Sequence, residues 1–564
     1  MKEHLYLTKA LNYWKRTNIT TYLGIRALLD LKTNKYNWLD SIINRKSVVN
    51  KTIALNPYLL YKDKENEIFD YRNCFSLSPL NALIESRVIE ILKKYSNNHP
   101  SCVYSYQPAY HKAGHHFRYF YSSYKKRNIL ISDLLQKNTD LIINVFDLKK
   151  YYPSIDKSKV VYKINSIISK ADNTEKEIVL NWINNLFNNV NQGIPIGPAI
   201  SCFLGTIVLD DVDNKLYEKY GDCYFRYVDD IIIISKKEQI SEVKQYINFV
   251  VKENGFSTNE KKYSVGFSSD WFKYNSYFSD NSYNKFLIRL RLYLIRHQNE
   301  FNIVREKFIE KGFCLPFYKF KCDIKNVHYK NWLKRFIKES KYWLFYRFDN
   351  VNKLLNEAIN IRENIFSELN NYIVEYTPHN KFQKRWFNQR INFFFNRLIY
   401  LYNKDYYSDI YKVLEKHIDE DKKNFFLSVI NNDFSEIIKY PGQVIAILSS
   451  YFKENNKKIL ISEMNIDKND NFEAIKNSLL ILSCYGVIFD DIEYLKENNL
   501  DLINLFFRND KGERINNDFS FIDEMSSLFL NKSIDDIQLY HESHFSDEEE
   551  MFFEVDYSKG SSYL

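Results

Sequence analysis

The rhythm of apolar and polar positions changes near residue 280 of this 564-residue chain. Before that point, short β-branched and aromatic runs stand between turn-forming residues, which predicts strands. Leu141 to Phe146 (LIINVF) is one such run. Cys223 to Ser235 (CYFRYVDDIIIIS) is another, with two acids at its centre, where the chain must turn. From Lys285 onward apolar residues recur at helical spacing, as in FLIRLRLYLIRHQNEFNIVREKFIEKG, NWLKRFIKESKYWLF and VNKLLNEAINIRENIFSELNNYIV. Helices are also expected in WFNQRINFFFNRLIYLY and, after the Pro441-Gly442 breaker, in VIAILSSYFKE. Scarce glycine and paired helices suggest a helical array, although no strict repeat period is present.

The adjacent acids Asp229 and Asp230 are poor core residues, because an ionised carboxylate resists burial unless it is paired or metal-bound. Their place at a hairpin tip therefore points to a metal site. Upstream, the Leu141–Phe146 run delivers a third acid, Asp147, at its C-terminal end. Between them lies QGIPIGPAIS, Gln192 to Ser201. Pro198 suits the first turn of a helix. Gly193 and Gly197 are close together in a glycine-poor chain, as expected where the backbone approaches a ligand. After the paired acids comes GFSTNEKKY, Gly255 to Tyr263, with two lysines near its end.

In this order and spacing, over roughly residues 60 to 280, these segments resemble the reverse transcriptases. Asp147 with its following aromatics resembles motif A, QGIPIGP motif B, YVDD motif C, and Asn259 to Lys262 motif D. The resemblance implies an α+β fold: right-hand polymerase fingers and palm, followed by an α-helical C-terminal domain, with helical repeats as one form. The expected divisions are 1–280 for fingers and palm, 281–380 for a helical thumb-like or connecting region, and 381–564 for a helical domain ending in an acidic tail. It implies nucleotidyl transfer by two divalent metals, one activating the attacking hydroxyl and one steadying the leaving oxygen. Mg²⁺ is the expected ion, with Mn²⁺ as a substitute, since hard cations prefer carboxylate and phosphate oxygens. Asp147 and Asp229 would bridge the metals, Asp230 would support them, and the carbonyl of Phe146 or Leu148 would complete a sphere.

The resemblance also assigns nucleotide-binding roles. Tyr152 would close the pocket under the sugar and exclude a 2′-hydroxyl; either it or Tyr151 is ordinary core. Gln192 would touch the incoming nucleotide or the template. Lys262, or its neighbour Lys261, would stand near the leaving pyrophosphate as a general acid. Arg72 would clamp the triphosphate, against the plainer reading of a solvated arginine. Tyr104 to Phe120 resembles the segment beneath the template. Its His111, His115 and His116 lack a cysteine at ligand spacing, so a polar loop facing nucleic acid is favoured over zinc.

Composition adds little that is specific. The chain has 79 basic and 71 acidic residues, a formal charge of +8, compatible with a phosphate backbone but unremarkable at this length. Acidic residues concentrate near the C-terminal end, from Asp535 and through Asp547 to Glu550. Seven scattered cysteines without a C-x-x-C pair suggest reduced thiols in a cytoplasmic protein. No signal peptide or membrane-length apolar run is present, so no membrane partner is expected. The expected partners are nucleic acid, as DNA product and RNA template, and deoxynucleoside triphosphates; a homo-oligomer remains open. The abundant tyrosine and phenylalanine look like drift in an AT-rich genome and are discounted as a base-stacking signal.

A short polymerase region with a long helical extension resembles the bacterial defence-associated, abortive-infection reverse transcriptases, which implies an antiphage role. Retron or group II intron-like enzymes, and a relict polymerase acting as an RNA-binding scaffold, are the alternatives. Some defence relatives work without an ordinary template and prime on a tyrosine. Tyr557 and Tyr563, or Tyr6 and Tyr13, would be the candidates here, against the plain reading that none primes. Arg291 and His297 loosely fit a signature of RNA-cleaving helical domains, but a charged helix is the simpler reading.

Overall fold

A computed structural model describes residues 3–29, 53–96, 100–109, 114–118, 120–275, 282–320, 347–455, 458–461, 464, 470–490, 521–529 and 532. The chain forms two compact units that are interleaved in sequence. The first comprises Met1–Asn56, Cys74–Ser279 and Pro378–Trp386; the second comprises Pro57–Asn73, Asp280–Thr377 and Phe387–Leu564. A hairpin of β1 (Leu55–Glu65) and β2 (Ile68–Leu77) gives its base to the first unit and its tip to the second.

The first unit is built on a four-stranded antiparallel sheet of order β4-β5-β3-β6. Its strands are β3 (Leu141–Asp147), β4 (Tyr224–Tyr227), β5 (Asp230–Lys236) and β6 (Ser264–Phe267). The run Ile231–Ile234 is apolar at every position because side chains of both parities are buried. One parity of β3 and β5, with Ile143, Val145, Ile232 and Ile234, forms a core with Trp271, Phe382 and Trp386. Among the residues of opposite parity, Asn144 is fully buried and donates to Ser235 Oγ at 3.0 Å and to the Ile233 carbonyl at 3.3 Å. A polar side chain is tolerated there because it is hydrogen-bonded.

The fully buried helix Ala199–Ile207 carries no charged residue. Such a helix start leaves donors without intrahelical partners. Glu85, itself fully buried on the helix Pro79–Tyr95, accepts from the Ile200 N–H at 2.9 Å. Pro198 precedes this helix as its N-cap rather than lying in its first turn.

The second unit is mainly helical. Its helices include Ser282–Arg296, Phe301–Glu310, Val351–Glu375, Tyr407–Leu414, Glu420–Asn431, Gln443–Glu454 and Phe472–Cys484. The expected helix in NWLKRFIKESKYWLF lies outside the described residues. A short parallel pair, β7 (Lys458–Leu460) with β8 (Ile488–Asp490), interrupts the helices. The hairpin tip packs within this unit: Tyr61 and Phe69 meet Tyr440 edge-on, and the Tyr71 hydroxyl donates to the Lys439 carbonyl. Six described cysteines carry free thiols. Among the described residues no helix is long and apolar enough to cross a membrane.

Candidate active site

Strand pairing brings the three acids to one end of the sheet. β3 and β5 run antiparallel in a register that sets Asp147 directly opposite Asp230. Tyr227 also pairs with Asp230, so Val228 and Asp229 form a two-residue turn between β4 and β5. Val228 has φ of +57°. A β-branched residue is strained in that region, so its surroundings must impose it. Two contacts do so. The Val228 N–H donates to Ser105 Oγ at 2.7 Å, and Arg226 Nη1 donates to the Val228 carbonyl at 3.0 Å.

Arg226 is held in turn. Its guanidinium is fully buried and meets Asp213 through two bonds, Nε to Oδ1 and Nη2 to Oδ2, both 2.6 Å. Tyr224 donates to the same carboxylate at 2.5 Å. This is the planar, two-pronged geometry for which arginine is suited. No local pattern names Asp213 as the partner, yet an arginine within a buried, otherwise apolar strand is itself a sign that a carboxylate must lie nearby.

The loop Phe256–Lys262 runs past the end of β3. Lys149 N–H donates to the Ser257 carbonyl at 2.8 Å, and Asn259 N–H to the Asp147 carbonyl at 2.7 Å. Lys262 Nζ then reaches Asp147 Oδ1 at 3.0 Å, while the Asn259 amide lies 3.4 Å from Oδ2. Of the two candidate lysines, Lys262 faces the carboxylates; Lys261 is exposed, and its N–H donates to the Asn259 side chain. On the other side, Arg385 Nη2 donates to Asp230 Oδ2 at 2.5 Å. Arg385 was not anticipated, because nothing local to its sequence links it to an acid 155 residues earlier.

Burial raises the pKa of Asp147 above its ordinary value, with Lys262 pulling the other way. Asp229 is raised by burial and then by the charges of Asp230 and Asp147. Neighbouring acids thus make Asp147 and Asp229 harder to ionise, the behaviour of a site that gains from bound positive charge. Among the described residues no three His, Cys, Asp or Glu side chains converge as a ready metal cage. Asp147 and Asp230 instead face Lys262 and Arg385. The oxygen-only donors still fit Mg²⁺, which needs only one or two carboxylates when substrate phosphates and water complete its shell.

The aromatics after Asp147 have different environments. Tyr151 is buried and its hydroxyl donates to the Gly205 carbonyl. Tyr152 is half-buried, beside Tyr151, with its ring close above Gly205. The Tyr13 hydroxyl lies 3.7 Å from the thiol of Cys202, whose pKa burial pushes up to about 11. Gln192 is exposed in the loop before Gly193. The glycines serve close approach to the chain's own backbone. At Gly193 (φ +65°) a side chain would strike the Tyr152 carbonyl and Pro153, and at Gly197 (φ +124°) the Phe75 carbonyl. Arg72 is half-buried on β2, in the stretch belonging to the second unit.

The histidine segment departs from a loop facing nucleic acid. His116 is buried, shares a hydrogen bond with Ser86 at 3.1 Å, and has its pKa pushed well down by burial; His111 lies outside the described residues. Tyr13, a priming candidate, donates its hydroxyl to the Gly197 carbonyl at 2.7 Å. Tyr557 and Tyr563 lie outside the described residues. In the second unit, Arg291 is buried on its helix, while His297 stacks on Tyr293 and meets Glu300 at 3.2 Å.

Residues 69–278 match the family model for reverse transcriptase (RNA-dependent DNA polymerase). None of the curated proteins matches the sequence. Among solved structures, telomerase from Candida albicans in complex with a fragment of telomeric RNA is 11% identical, with 70% of this chain and 67% of that chain covered and a TM-score of 0.28. The corresponding telomerase from Candida tropicalis is 12% identical, with 74% and 68% covered and a TM-score of 0.26.

Proposed function

From the match of residues 69–278 to the reverse transcriptase family model, we propose that the protein extends DNA by adding deoxynucleotides at the Asp147–Asp229–Asp230 cluster. The facing of Asp147 and Asp230, with Asp229 presented next to the strained Val228 on the β4–β5 turn, carries this reading. Mg²⁺ bound there would activate the attacking hydroxyl and stabilise the leaving phosphate. Asp147 and Asp229 would hold the cation, Asp230 would support them, and Lys262 would offer a proton on the leaving-group side. Tyr152 bounds the sugar and excludes a 2′-hydroxyl, while Gln192 contacts nucleotide or template. The helical region after the polymerase domain supports an antiphage role of the abortive-infection kind. Priming by Tyr13 is disfavoured, because its hydroxyl is bonded to the Gly197 carbonyl.

The test is incorporation of labelled deoxynucleotides by purified protein with Mg²⁺, on RNA and DNA templates and without a template. Metal-dependent incorporation by the wild-type chain is expected. Its absence under all three conditions would overturn the proposal.

A further inference from the structure

Arg385 reaches the acidic cluster from a segment distant in sequence, and its position is fixed by its neighbours. On the helix Lys381–Leu401, residues 382, 385 and 386 share a face, being three and four positions apart. Phe382 lies against β6 where Gly266 has no side chain; a Cβ there would collide with its ring. Trp386 meets Trp271 edge-on at 5.5 Å between ring centres. Gln383 Nε2 donates to Asp270 Oδ1 at 2.8 Å. Phe382 and Trp386 are both nearly inaccessible to solvent. Arg385 therefore extends from a rigid base, and its guanidinium meets Asp230, whose side chain is 9% exposed. Lys262, which meets Asp147, is 57% exposed on a loop and correspondingly screened by water.

We infer that Arg385 is a positioning residue of the polymerase site: a built-in counter-cation that neutralises and orients Asp230, leaving Asp147 and Asp229 as the main metal-holding acids. Without it the cluster would gain one uncompensated negative charge. A divalent cation would then bind more tightly, but Asp230 would no longer have a fixed orientation. Arg385 thus limits metal affinity and keeps the geometry that turnover needs. The inference builds on the proposed metal site but can be tested without catalysis.

Mn²⁺ binding to the full-length protein, followed by calorimetry, provides that test. Arg385→Gln is expected to lower the Mn²⁺ Kd at least threefold, while Arg385→Lys, which keeps the charge, stays within twofold of wild type. Incorporation at saturating metal should fall at least tenfold in Arg385→Gln and recover in part in Arg385→Lys. Asp230→Asn leaves the helix untouched and covers the case in which Arg385→Gln fails to fold. It should weaken Mn²⁺ less than threefold, against tenfold or more for Asp147→Asn. An unchanged Kd in folded Arg385→Gln, or equal losses of affinity in Asp230→Asn and Asp147→Asn, would overturn the inference. The expected Mn²⁺ pattern in a protein that incorporates no nucleotide would support the counter-cation and refute the polymerase reading.

Discussion

Two groups of buried charge lie in the first unit and are arranged in opposite ways. Arg226 and Asp213 form a closed pair, fully buried on both sides, with two bonds of 2.6 Å. Asp147, Asp229 and Asp230 are three acids facing Lys262 and Arg385, and burial with mutual repulsion raises the pKa of Asp147 and Asp229. The closed pair braces the turn that carries Asp229, through the bond from Arg226 to the Val228 carbonyl. Charge that serves the fold is thus matched bond for bond, whereas charge available for chemistry is left under-compensated.

Breaking the closed pair should give the largest change in stability. Arg226→Met leaves Asp213 buried without its guanidinium, which costs about 3–5 kcal/mol; urea unfolding measures it. A loss below about 1 kcal/mol would remove the contrast between the two groups. Glu85 sharpens it as a third case, an acid with no described cation beside it. Burial pushes its pKa up to about 8 from an ordinary 4.5, against the Ile200 and Ala199 N–H groups. The folded chain therefore holds a proton that the unfolded chain releases between those values. Its stabilising contribution is complete below about pH 4.5 and is lost as pH rises through about 8. Glu85→Gln should flatten the fall in melting temperature from pH 5 to 8 and be the more stable protein at pH 8, by an amount on the order of 1 kcal/mol. Identical pH profiles would show that Glu85 is already ionised in the fold.

At Tyr152 the expected effect is on selectivity. Tyr152→Ala should raise ribonucleotide use relative to deoxynucleotide use by roughly tenfold, within the range that one steric contact supplies. The two incorporation efficiencies give the ratio, and an unchanged ratio would place the gate elsewhere.

Sequence patterning exposed the parts governed by neighbouring residues. A β-branched run ending in Asp147 and an isoleucine run after Asp230 specify strands, and those strands set the acids opposite each other. Long helices such as Val351–Glu375 were legible for the same reason, as apolar positions at helical spacing. Partners distant in the chain were not legible. Arg385 is placed by the fit of Phe382 over Gly266, and a glycine in a short strand gives no hint of which ring will cover it. The glycines of QGIPIGP signalled a close approach but not its object, the backbone at Tyr152–Pro153 and Phe75. His116 looked polar and exposed because Ser86, its hydrogen-bond partner, lies 30 residues earlier. The short β7–β8 pair is too brief to produce a period.

Asp229→Asn tests the central claim most directly, because it removes one charge from the under-compensated cluster and little volume. Incorporation of labelled deoxynucleotide with Mg²⁺ and the urea midpoint would be measured on the same preparation. The account predicts that incorporation falls by a factor on the order of 10³ or more, as expected when a metal-holding group is lost. It also predicts an unchanged or raised midpoint, because repulsion among the acids is relieved. Near-normal incorporation, or a midpoint lowered as in Arg226→Met, would contradict it and make Asp229 a residue of the fold rather than of the chemistry.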